Sequence, residues 1–180
     1  DGGFSWADEW VLLSPSPSTS RRQTYIIENV GLEEGGKEYI KSTSQGAGTY
    51  ETSYTADKFY IKWHYSALDE EKTFKLSYRV KNAVVNHNDI SEFYWQLVGD
   101  EWAKGTGKVT AEVRLPTLAG ENIWAFGHGP LNGKIAINND GSSVSFSADN
   151  LPANKFFEVR VLFPKLDSAV NAQIGTSDLD

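Results

Sequence analysis

"KTFKLSYRVKN", residues 72–82, alternates without a break: Phe74, Leu76, Tyr78 and Val80 fall on one side, Lys75, Ser77, Arg79 and Lys81 on the other. Successive side chains of an extended chain point to opposite faces, so this stretch has one dry face and one wet face. A helical period would scatter the same residues around an axis. The stretch therefore reads as a strand of an antiparallel sheet that buries a single side.

The same device recurs along the chain. "FYIKWHY" (59–65) sends Phe59, Ile61, Trp63 and Tyr65 inward and Lys62 and His64 outward. "KVTAEVRLP" (108–116) sets Val109, Ala111, Val113 and Leu115 against Thr110, Glu112 and Arg114. "FFEVRVLFP" (156–164) sets Phe157, Val159, Val161 and Phe163 against Glu158 and Arg160. Shorter strand signals lie at 24–30, 38–42, 93–98, 123–126, 134–137 and 144–148, separated by turn-forming runs. Between the last two, "NNDGS" (138–142) offers Asp140-Gly141, which tolerate positive φ, so a tight hairpin is expected there.

No stretch of ten residues carries a helical period. Many short strands in one chain leave a sandwich or a barrel. The bulky inward rings fill a layer about 10 Å thick between facing sheets, which favours the sandwich. The expectation is an all-β, antiparallel β-sandwich, Ig-like in the broad sense, forming one domain over 1–180. Residues 1–23 read as an irregular leading segment, with the Ser/Pro run "SPSPSTS" (14–20) extended, and 165–180 as a tail. "TSQGAGTYETS" (43–53) reads as a polar, Gly-containing loop.

Composition narrows the chemistry. The formal charge is -7 with a pI near 5.0, which argues against a grip on phosphate backbones and hence against nucleic acid as partner. Cysteine is absent, removing disulfides, thiol catalysis and cysteine-based zinc sites. Six Trp, eight Tyr and nine Phe are many for 180 residues, and pleated cores account for most of them before any ligand does.

Candidate chemistry concentrates in "NHNDISEFYWQLVGDEW" (86–102). Alternation sends Phe93, Trp95 and Leu97 inward and Tyr94, Gln96 and Val98 outward. Polar groups flank the strand: His87, Asn88, Asp89 and Glu92 before it, Asp100 and Glu101 after it. The Asn/Asp cluster resembles an oxygen-rich calcium loop, but it lacks EF-type spacing, and Asn and Asp also start turns by bonding their own backbone. Glu92 with Asp100 or Glu101 could form the carboxylate couple of a glycosidase, provided the two lie about 5 to 9 Å apart. Trp102 folds back over a sheet end, and His128 sits between glycines in "FGHGP" (126–130), where backbone approaches closely. A ligand site, if present, is expected near His87, Asp89, Glu92, Asp100, Trp102 and His128. No phosphate-binding loop, nucleophile elbow or zinc-protease helix is found.

"KTFKLSYRVKNAV", "SEFYWQLVGDEW", "VTAEVRLP", "FGHGPLNG", "VSFSADNLP" and "FEVRVLFP" in succession resemble the extracellular domain of the YciQ-like family, from about Phe59 to Pro164. Tyr78, Asp89, Glu92, Trp95, Gly99, Trp102, His128-Gly129 and Phe163-Pro164 carry the resemblance. It implies a β-rich domain outside the cell on a membrane-anchored parent of bacteria or archaea, with a membrane span beyond the tail. It brings no catalytic residues. The functional expectation is a binding or sensing module for a cell-envelope glycan, a protein partner or another copy of the chain. A glycan-active enzyme and a purely structural domain are the competing readings.

Overall fold

A computed structural model describes residues 6–13, 24–116 and 122–171. The described residues contain strands and turns and no helix, so the all-β reading holds. They divide into two compact units, 6–13 with 24–81 and 82–116 with 122–171.

Unit 1 holds β1 (Trp6–Leu12), β2 (Ile26–Glu34), β3 (Lys37–Glu38), β4 (Ile40–Lys41), β5 (Thr49–Tyr54), β6 (Lys58–His64) and β7 (Phe74–Lys81). They form a sheet ordered β1-β6-β5-β4 and a second ordered β3-β2-β7. Register follows the dry faces: Val11 pairs Phe59, Tyr50 pairs Trp63, and Leu76 pairs Leu32. Rings close the space between the sheets. Trp63 meets Phe74 edge-on at 5.6 Å, and Tyr50 and Tyr54 donate their hydroxyls across to the carbonyls of Val30 and Ile27. Tyr50, which is buried, and Tyr54, which is exposed, thus both place their polar ends on the opposite sheet.

Unit 2 holds β8 (Val84–Asn86), β9 (Ser91–Val98), β10 (Thr106–Arg114), β11 (Trp124–His128), β12 (Lys134–Ile137), β13 (Ser143–Leu151), β14 (Phe157–Phe163) and β15 (Val170–Asn171). A five-stranded sheet runs β11-β14-β9-β8-β15 and a three-stranded one β10-β13-β12. Val144, Phe146 and Ala148 of one meet Val159, Val161 and Phe163 of the other in a single apolar cluster, with Phe93, Trp95 and Leu97 packed against it. Each unit is therefore sandwich-like, two sheets enclosing one core. The hairpin at 138–142 forms as expected, with Gly141 at φ 68 and Asn138 N–H bonded to the Ser143 carbonyl at 2.9 Å.

Four expectations are corrected. Trp6–Leu12, inside the supposed irregular segment, is a strand paired over its whole length with β6. Residues 49–53, the second half of the stretch read as loop, belong to β5, because Tyr50, Thr52 and Tyr54 align with Trp63, Ile61 and Phe59. Two pairings, β4 with β5 and β15 with β8, are parallel rather than antiparallel, and the second places a short strand in the supposed tail. His64 is 6% exposed although its register places it opposite Trp6 on the outer face, and its Nε2 lies 3.6 Å from Glu51 Oε1. The run 14–20 and the end of the chain from 172 lie outside the described residues.

Candidate functional site

The turn between β8 and β9 is built by side chains. His87 N–H bonds the Ile90 carbonyl at 2.8 Å, and Ser91 donates its hydroxyl to Asn86 Oδ1 at 2.5 Å. Asn86 Nδ2 reaches the Leu166 carbonyl at 2.8 Å, and Leu166 N–H returns to Ser91 Oγ at 3.0 Å. The Asn86 side chain is thereby committed on both ends to protein groups, as a turn residue rather than as a loop ligand. Among the described residues no group of three or more His, Cys, Asp or Glu is arranged to hold a metal.

Immediately after this turn Glu92 is enclosed, at 1% exposure. One carboxylate oxygen lies 2.8 Å from His87 Nε2, and the other accepts from Arg160 Nε at 2.5 Å. A carboxylate this far from water needs such partners. Arg160 also stands over the Phe126 ring, 5.7 Å from its centroid.

Alternation places Glu92, Tyr94 and Gln96 on the outer face of the five-stranded sheet, and register brings their neighbours beside them. Leu162 and Trp124 continue the row of Glu92, Arg160 and Phe126 that of Tyr94, and Glu158 and His128 that of Gln96. Tyr94 donates its hydroxyl to Glu158, and Gln96 Nε2 reaches the other Glu158 oxygen at 3.3 Å. The Tyr94 and His128 rings are 6.5 Å apart. Trp124 and Phe126, on the outer strand β11, keep 37% and 40% of their surface in solvent. Glu92 and Leu162 are sealed, at 1% exposure each, and the face opens to solvent along β11, where Trp124, Phe126 and His128 are exposed.

The six expected site residues do not share one place. His87, Asp89 and Glu92 gather at the start of β9. Asp100 and Trp102 follow its end, and His128 closes β11 near that same end. Glu92 to Val98 alone spans about 20 Å of strand. Glu92 is moreover sealed and paired, while Asp100 and Glu101 are exposed. The glycosidase couple, which needs carboxyls within about 10 Å across a cleft, is not assembled. Missed altogether was the contribution of Trp124 and Phe126. Their short segment shows weak alternation, and only the pairing of β11 with β14 brings them to Tyr94 and Glu158.

Fold and site together define a β-sandwich module with a ring-bearing sheet face that is open along β11, and no assembled acid couple. The chain belongs to the DUF2207 family, described as the N-terminal domain of a predicted membrane protein, whose model matches residues 12–163. That agrees with the family resemblance read from the sequence. No curated protein and no solved structure matches the chain. Among the described residues no helix is long and apolar enough to cross a membrane.

Proposed function

We propose that this chain is an extracellular binding or sensing module of a membrane-anchored protein, and that the outer face of β11, β14 and β9 receives a cell-envelope glycan. One observation carries the reading: exposed flat rings of Trp124 and Phe126 stand beside Gln96, Glu158 and His128 on one sheet face that is open along β11. A sugar presents apolar C–H surfaces to stack on rings and hydroxyls to bond amides and carboxylates, so this mixture suits it. A flat face also suits an extended polymer better than a small enclosed molecule. The acidic balance of the chain argues against nucleic acid here as well.

The test is a glycan array probed with the chain, followed by Phe126→Ala and Glu158→Gln. Both side chains stand on the surface side of the sheet, so the variants should melt as the parent does while losing binding at least tenfold. Retention of binding by both, or no glycan bound at all, removes the reading.

A further inference from the structure

We propose that one end of unit 2, made of the loops at 99–105, 129–133 and 152–156, docks into the interface of a lipid bilayer. This does not rest on the glycan reading. β9 and β11 end at this side, β14 begins there opposite the end of β9, and Thr106 of β10 starts opposite Leu151 of β13, so all three connections converge. They are joined to one another. Asn154 N–H bonds the Trp102 carbonyl at 2.9 Å, Asn132 Nδ2 bonds the Asp149 carbonyl at 2.8 Å, and Gly129 lies against the backbone of Phe156.

Each loop carries a large apolar side chain out into solvent. Trp102 is 42% exposed, Phe156 39%, and Leu131 fully so at 106%. Scattered exposed apolar residues are ordinary, but one on each of three converging loops is a cluster. Tryptophan suits the boundary between headgroups and hydrocarbon because an apolar ring carries a polar N–H. Exposed Lys104, Lys134 and Lys155 lie beside these apolar side chains, where long side chains keep their ammonium in the headgroup layer. Asp100, Glu101 and Asp149 offset these cations, so insertion of apolar side chains rather than attraction to anionic lipid supplies the binding. A bilayer is the surface that the N-terminal domain of a membrane protein has within reach. Weak docking therefore suffices, since attachment to the parent raises the local concentration.

The experiment is flotation of the 180-residue chain with phosphatidylcholine vesicles, with and without phosphatidylserine, and quenching of its tryptophan emission by brominated acyl chains. The chain should co-float with both compositions to a similar extent and be quenched. Leu131→Ser and Phe156→Ser should each lower partitioning about tenfold, the worth of one buried apolar side chain, with melting temperature unchanged. Trp102→Phe should keep flotation and remove most of the quenching. Failure of the parent chain to float, or undiminished quenching in Trp102→Phe, overturns the proposal. So does a dimer in solution that Leu131→Asp splits while vesicles are ignored, which would make this end a protein contact.

Discussion

Arg160 on β14 donates its Nε–H to Glu92 on β9 at 2.5 Å, diagonally across the register, since Arg160 stands opposite Tyr94 and Glu92 opposite Leu162. Glu92 also engages His87, just past β8, so one carboxylate ties three consecutive strands of the sheet together. Removing its charge leaves Arg160, whose side chain is 22% exposed, facing a neutral amide. Glu92→Gln should therefore cost about 1.5 to 3 kcal/mol of folding stability. Urea unfolding checks it: the midpoint should drop with the slope unchanged. A loss under about 1 kcal/mol would show the group to be better hydrated than its burial implies.

The two tryptophans flanking Gly99 should behave in opposite ways. Trp95 packs on the unit 2 core and lies parallel to Phe93, with ring centroids 6.2 Å apart. Trp95→Ala should cost about 3 kcal/mol through the cavity it opens. Trp102 is 42% exposed, and its hydrogen bonds are made by its backbone, N–H to the Gly99 carbonyl and carbonyl to Asn154 N–H, which a substitution of the side chain keeps. Trp102→Ala should change stability by about 0.5 kcal/mol or less. Thermal melts of the two variants side by side decide this, and equal losses would place Trp102 in the core.

Gly129 has φ 133, and a Cβ built there would lie 2.4 Å from the Phe156 carbonyl oxygen. Neither the conformation nor the space admits alanine. Gly129→Ala should destabilise by about 1 to 3 kcal/mol and separate the 129–133 loop from the 152–156 loop. Hydrogen exchange should rise at 129–133 and 154–157; an unchanged pattern would show that the loops meet without constraint.

Glu9 stands on the inner side of edge strand β1, opposite Ile61. Burial pushes its carboxyl from 4.5 up to about 7, the Trp10 N–H opposes that, and the Asp8 charge adds to it. Between those two values the folded chain retains a proton that the unfolded chain has released, so stability falls as pH rises through the window. Below it the contribution is full; above it the loss is complete. Glu9 is nonetheless exposed to solvent on its edge strand, so the slope is far shallower than full enclosure would give. Glu9→Gln should melt like the parent near pH 4 and higher than the parent near pH 8. A gap that is the same at both pH values, or reversed, contradicts the linkage. An inward charge on an edge strand also discourages strand-to-strand aggregation, so the variant should be the more aggregation-prone of the two.

Alternation made β6, β7, β10 and β14 legible, because in each the buried side follows every second residue with little exception. It failed for β1 and β5. "WADEWVL" carries exposed tryptophans outside and Glu9 inside, which inverts the expected pattern. "TYETSY" is too polar to show that two tyrosines bond across the sandwich. Asn29 at φ 52 and the bulge between Glu28 and Gly31 likewise have no mark in a period of two. The boundary at Lys81 and Asn82 carries no Gly/Ser or Pro run, so the division into two compact units left no trace in composition.

The sequence by itself determined that the chain is all β, which side of its best strands is dry, and the family to which it belongs. The first two are local, depending on residue type at a spacing of two, and the third rests on short motifs spread along the chain. It also placed Tyr94, Gln96, Glu158 and Arg160 on outward faces. Only the tertiary structure decided that these faces lie side by side, that Glu92 is sealed by His87 and Arg160, and that Asp100 is a strand's length away from it. Strand order and register arise from which dry faces fit together, and that fit is a property of the packed whole rather than of any one segment.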